Sequence, residues 1–251
     1  MAASAPTAIL LVSCPDQRGI VAALSSFITR NDGNIIALDQ YVDVEEGAFF
    51  ARMEWELAGF AVPLDQFAAR FAAVADPLRI QWTLHRSDHR LRMAVLVSKQ
   101  AHCLYDILAR CESGEWPVDL ALVLSNHEDH RGLVERHGLP FHCIPVAAAT
   151  KAEAEVRQID LLRRNRVDFV VLARYMQILS PAFVQAFPMR IINIHHSFLP
   201  AFAGANPYRA AHDRGVKIVG ATAHYVTEKL DEGPIIEQDV IRVSHRQGVD
   251  D

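Results

Sequence analysis

At 251 residues, with 51% hydrophobic and 22% charged, the chain suits one large or two modest domains with a substantial core. A formal net charge of -5, with no long basic run, argues against nucleic acid or an anionic membrane as partner. Residues 1–7 lack a charged leader and a cleavage site, and the apolar run 8–12 is too short for a signal peptide or a span, so a cytoplasmic protein is expected.

Residues 8–13 read as a buried strand, followed by a turn. Ile20, Ala23, Leu24, Phe27 and Ile28 have helical spacing over Ile20–Arg30, and Asn31-Asp-Gly-Asn34 stops that helix. Strands follow at Ile35–Asp43 and 48–57, joined by a tight turn at Glu45-Glu46-Gly47. A helix at 64–75 and a strand at 80–84 complete a β-α-β-β-α-β order, a ferredoxin-like split βαβ. The polar stretch 85–90 reads as a linker, giving domains 1–86 and 87–251.

Beyond it the pattern changes to α/β. Strands are expected at Leu91–Val97, 118–124, 141–146, Phe169–Ala173, Ile191–His195 and 217–226. Helices are expected between them, at 102–111, 129–137, 151–165, 181–187 and Pro207–Arg214. Short, nearly all-apolar strands with helical crossovers predict a Rossmann-like, mostly parallel sheet with ligands at the strands' C-terminal ends. The cysteines, Cys14, Cys103, Cys111 and Cys143, lack C-x-x-C spacing, which predicts reduced, packed thiols and no metal site.

The strand Ile191–His195 is apolar except for Asn193 and His195, which project from one face because alternate strand residues share a side. Asp231 stands on a loop closed by Gly233 and Pro234. An amide donor, an imidazole and a carboxylate can together polarise a carbonyl, bind an oxyanion and move protons. No Ser or Cys nucleophile stands beside them, which favours direct attack by water or an amine. Taken singly, each residue has a plainer reading, a packed strand histidine or an Asp in a turn.

In context the segments are specific. Asn-Ile-His-x-Ser-x-Leu-Pro from Asn193, Pro-Tyr at Pro207, Gly-Ala-Thr-Ala-His-Tyr-Val from Gly220 and Leu-Asp-Glu-Gly-Pro-Ile-Ile from Leu230 resemble the 10-formyltetrahydrofolate-dependent formyltransferase family. The His195-His196-Ser197 version resembles its formyltetrahydrofolate deformylases, and the likeness covers almost the whole chain.

The resemblance implies a hydrolase that splits 10-formyltetrahydrofolate into formate and tetrahydrofolate, supplying formate to purine synthesis and balancing one-carbon pools, with no cofactor. Asn193 would donate to the formyl oxygen, and His195, its pKa raised by Asp231, would stabilise the oxyanion. Asp231 would orient water and shuttle protons. The pterin pocket would come from Arg174, Tyr175, Met176, Ile178 and Leu179, closed by Leu230, Glu232 and Gly233; His196, Ser197 and His224 would support the site. Met176, Ile178 and Leu179 can equally be ordinary core. Val97-Ser-Lys-Gln100 lacks the glycines with which nucleotide-formylating members hold a phosphate, which leaves water as acceptor. Formyl transfer to a small amine, or an inactive amino-acid sensor, are the alternative readings.

Pro15-Asp16-Gln-Arg18-Gly19-Ile20 makes the first half resemble an ACT domain, which implies a homo-oligomer and an amino-acid effector held by Asp16, Arg18, Gly19 and Ile20. The family usually continues past this point, so the chain is expected to lack its C-terminal end. Asn206 stands where many members carry a basic residue, which implies weaker grip on the folate's glutamate tail.

Overall fold

The computed structural model describes residues 5–201 and 207–249. The chain divides into two compact units, Met1–Arg90 and Leu91–Asp251.

In the first unit β1 (Thr7–Pro15), α1 (Ile20–Arg30), β2 (Ile35–Asp43), β3 (Ala48–Glu56), α2 (Phe67–Leu78) and β4 (Gln81–Arg86) follow one another. All strand pairs are antiparallel, in the order β2-β3-β1-β4 of the split βαβ arrangement. The core joins Leu10, Leu24, Ile28, Met53 and Trp55 to Phe67 and Phe71. The helix α2 starts three residues later than its apolar spacing suggests, because Pro63–Gln66 forms a separate turn closed at 2.9 Å. Gly19 precedes α1 with φ 90°, in the region that glycine alone enters freely. Ile20, expected at an effector site, is 2% exposed and belongs to the core.

The second unit runs β5 (Leu91–Val97), α3 (His102–Glu112), β6 (Val118–Ser125), α4 (Arg131–Arg136), β7 (Phe141–Cys143), α5 (Lys151–Arg164), β8 (Phe169–Ala173), α6 (Pro181–Ala186), β9 (Ile191–His195), α7 (Pro207–Arg214), β10 (Ile218–Tyr225) and β11 (Ile235–Arg242). The seven strands lie in the order β11-β10-β9-β8-β5-β6-β7. Neighbours from β9 to β7 are parallel, whereas β10 and β11 pair antiparallel. Val95, Leu96, Leu124 and Val170 are fully buried, as strands covered on both faces require. Two differences from the sequence reading have physical causes. The strand β7 stops at Cys143, two residues before Pro145, which has no N–H for the ladder. The strand β11 was not expected; among the described residues it is an edge strand that pairs with β10 alone and leaves Ile235, Ile236 and Ile241 exposed.

No described helix is long and apolar enough to cross a membrane.

Candidate active site

The site is set by cross-strand register. On β9 and β10, Asn193 faces His224 and His195 faces Thr222. The register therefore gathers four polar side chains at the C-terminal end of β9. Asn193 Nδ2 lies 3.2 Å from His224 Nε2, and His224 Nδ1 lies 3.0 Å from the Tyr225 carbonyl. A carbonyl only accepts, so Nδ1 carries the hydrogen and Nε2 accepts from Asn193. One amide hydrogen of Asn193 is thereby fixed.

Asp231 arrives from the loop after β10. Its Oδ1 stands 3.4 Å from His195 Nδ1 and 3.7 Å from His224 Nε2. Its φ of 57° is a left-handed conformation that Asp and Asn tolerate best among residues with a Cβ. Gly233 makes this loop possible: a Cβ there would lie 1.7 Å from the Tyr225 carbonyl oxygen. His195 is buried, and its Nε2 has no hydrogen-bond partner among the described residues.

Burial holds the His195 pKa below its ordinary value of 6.5; Asp231 pulls it up, and His224 and Arg174 push it down. The net direction is the opposite of the expected one: Asp231 does raise the imidazole, but burial outweighs it. Desolvation disfavours the charged ring by more than one carboxylate at 3.4 Å recovers, so the resting ring is neutral at neutral pH.

Thr222 pins the turn after His195. Its fully buried hydroxyl donates to the Ser197 carbonyl at 2.8 Å and accepts from Leu199 N at 3.1 Å. Gln238 on β11 donates to the same hydroxyl at 3.0 Å and to the Leu199 carbonyl at 2.9 Å. Neither residue had a role in the sequence reading, and Gln238 depended on a strand that was not expected. Ser197 joins this network through its carbonyl; its own buried hydroxyl finds no partner among the described residues. His196 packs its ring 5.3 Å from His195 and 5.8 Å from Tyr208. Asn206 lies outside the described residues.

A cavity of about 280 Å³ opens beside these groups, lined by Arg174, Tyr175, Met176, Ile178, Leu179 and Leu230 along with Asn193, His195, His196, His224 and Asp231. Met176, Ile178 and Leu230 are 57%, 60% and 59% exposed, so they form an apolar rim rather than core. The 174–180 loop is held from below by α5. Gln158 Nε2 donates to the Tyr175 hydroxyl at 2.9 Å, and Glu155 accepts from Ser180 N at 3.1 Å. Burial pushes the Tyr175 pKa up to about 12, so its phenol stays protonated. Glu232 and Gly233 are absent from the lining: Glu232 pairs with Lys229 at 3.6 Å in solvent, and Gly233 is buried against β10. A larger groove of about 660 Å³ between α7, β10, β11 and residues 243–249 holds none of the groups around His195.

His195, His224 and Asp231 offer three ligand atoms within 4.8 Å of one another. A metal would need the His224 Nε2 lone pair, which Asn193 already occupies.

Comparison with known proteins agrees with this geometry. The formyl transferase family matches residues 91–251. The formyltetrahydrofolate deformylase of Synechocystis sp. is 53% identical over 98% of this chain and 86% of its own. The crystal structure of a formyltetrahydrofolate deformylase from Pseudomonas syringae pv. tomato superposes with a TM-score of 0.96 at 43% identity, covering 99% of this chain and 84% of that one. A glycinamide ribonucleotide transformylase from Symbiobacterium toebii aligns with 67% of this chain and 81% of its own, at 37% identity and a TM-score of 0.62. The second unit alone thus has the formyltransferase-type α/β fold, while the deformylase likeness runs through both units: the chain belongs to the formyltetrahydrofolate deformylase family.

Proposed function

We propose that the protein hydrolyses 10-formyltetrahydrofolate to formate and tetrahydrofolate by direct attack of water on the formyl carbon. The observation that carries this reading is the buried, unpartnered Nε2 of a neutral His195, backed by Asp231 and set two residues from Asn193 on one strand face. The free Asn193 hydrogen donates to the formyl oxygen. His195 Nε2 takes a proton from the attacking water, and the imidazolium so formed sits beside the developing oxyanion, stabilised by Asp231. The same proton then passes to N10, and the C–N10 bond breaks with its electron pair on nitrogen. A flat heterocycle fits the apolar rim of Met176, Ile178 and Leu230, with the backbone of the 174–180 loop offering donors and acceptors. The His195→Ala variant tests the assignment: it is expected to lose formate release and to melt close to the native temperature. Near-native turnover in that variant would refute the role.

The first unit is proposed as an ACT-like regulatory and pairing domain. The topology and the uncapped start of α1 behind Gly19 support a small carboxylate ligand near Asp16 and Arg18. Ile20 supports the fold there, not the ligand. Light scattering and calorimetry with glycine and methionine test the two parts separately. All four cysteines are free thiols, in keeping with the proposed cytoplasmic setting.

A further inference from the structure

The strand order of the second unit has a switch point, the place where open α/β sheets form a ligand crevice. From β5 the chain moves outward to β6 and β7, then returns to β8 on the other side of β5. The order reverses between β5 and β8, and in open α/β sheets such a switch point is where ligands bind, outside the strands' carboxyl ends. The two strands end level, with Val97 beside Ala173. Just past them Arg174 Nε donates to Gln100 Oε1 at 2.7 Å, tying the two loops together. Arg174 does so from φ 59°, a region that disfavours a residue with a Cβ. Its charge is felt on both sides of the crevice, lowering the pKa of His195 on β9 and opposing the burial-raised pKa of Cys103 on α3. The sheet alone does not dictate hydrolysis, because the similar Symbiobacterium toebii chain is named a transformylase.

We propose that the Gln100–Arg174 bridge closes this crevice to amine acceptors and thereby determines that water, not an amine, reaches the formyl carbon. The inference rests on the hydrolytic reading above. With the bridge open, a primary amine would use its lone pair to form the new C–N bond. The C–N10 bond would break with its pair on N10, and the proton shed by the amine would end on N10, with no redox partner needed.

The test supplies 10-formyltetrahydrofolate and glycinamide to the native protein, Gln100→Gly, Gln100→Glu and Arg174→Gly. Formate and N-formylglycinamide are quantified together by mass spectrometry. Gln100 is exposed and Arg174 has a glycine-tolerant φ, so both glycine variants suit the backbone they enter. The ratio of formylated amine to formate is expected to rise about tenfold or more in both glycine variants. It should stay native in Gln100→Glu, which can still accept from Arg174. An unchanged ratio in both glycine variants, or an equal rise in Gln100→Glu, overturns the bridge. Absence of formate from the native protein without amine overturns the hydrolytic reading itself, so the two failures are told apart.

Discussion

Replacing Asp231 by Asn removes one charge and almost nothing else. The side chain keeps its size, and Asn tolerates the φ of 57° as well as Asp does. The carboxylate stands 3.4 Å from His195 Nδ1. Two unit charges at that distance attract by about 5 kcal/mol at an effective dielectric near 20 and by about 1 kcal/mol in bulk water. The side chains of His195 and Asp231 are 7% and 16% exposed, which places the pair nearer the first limit. The attraction exists only once the ring is charged, in the transition state. A loss of about 4 kcal/mol there lowers kcat by about 10³-fold. KM should move only a few-fold, since the resting ring is neutral. Formate release gives both constants, and thermal unfolding reports the fold. A kcat within tenfold of native in a normally folded variant, or a loss confined to KM, would refute this reasoning.

The remaining predictions concern pH, scaffold and metal. The acid limb of kcat/KM is expected below 6.5, where burial places His195, and lower still in Asp231→Asn, which loses the one influence that raises it; a shift to higher pH contradicts the electrostatics. The folded pKa lies below the unfolded one, so the unfolded chain binds more protons between them; this contribution to stability is present above pH 6.5 and lost as pH falls through the folded pKa, which urea melts of native and His195→Gln will register. Thr222→Val leaves the Ser197 carbonyl and Leu199 N without their partner and should cost about 2–3 kcal/mol in urea unfolding, with reduced kcat; a neutral result would mean the network is dispensable. Gly233→Ala must displace the loop that carries Asp231, because its Cβ would meet Tyr225 O at 1.7 Å, so activity should fall more than Tm. Dialysis against a chelator should leave formate release intact; loss restored by added zinc would replace proton transfer with metal chemistry.

The residues that a strand's period of two places together were legible from the sequence: Asn193 and His195 share a face because nothing but local geometry is required. The same holds for the parallel strands, whose apolar runs need no partner to be recognised. What was not legible depends on contacts between distant segments. The edge strand β11 carries mixed Ile, Glu, Gln and Asp and is defined by pairing with β10, so Gln238 and its bond to Thr222 had no local signature. Glu155 and Gln158 are polar residues on the buried side of α5, intelligible only beside Ser180 and Tyr175. Gly233 was read as a pocket wall, whereas its glycine is required by the Tyr225 carbonyl at the end of β10. The sign of the His195 shift also came from the structure: the expected pairing with Asp231 suggests a raised pKa, and burial outweighs it.

The most direct measurement is the joint yield of formate and tetrahydrofolate from 10-formyltetrahydrofolate, with the purified protein and no amine present. Equal yields well above the uncatalysed rate, and loss of both in His195→Ala, are expected. No formate until an amine is supplied would contradict hydrolysis and make the protein a formyltransferase.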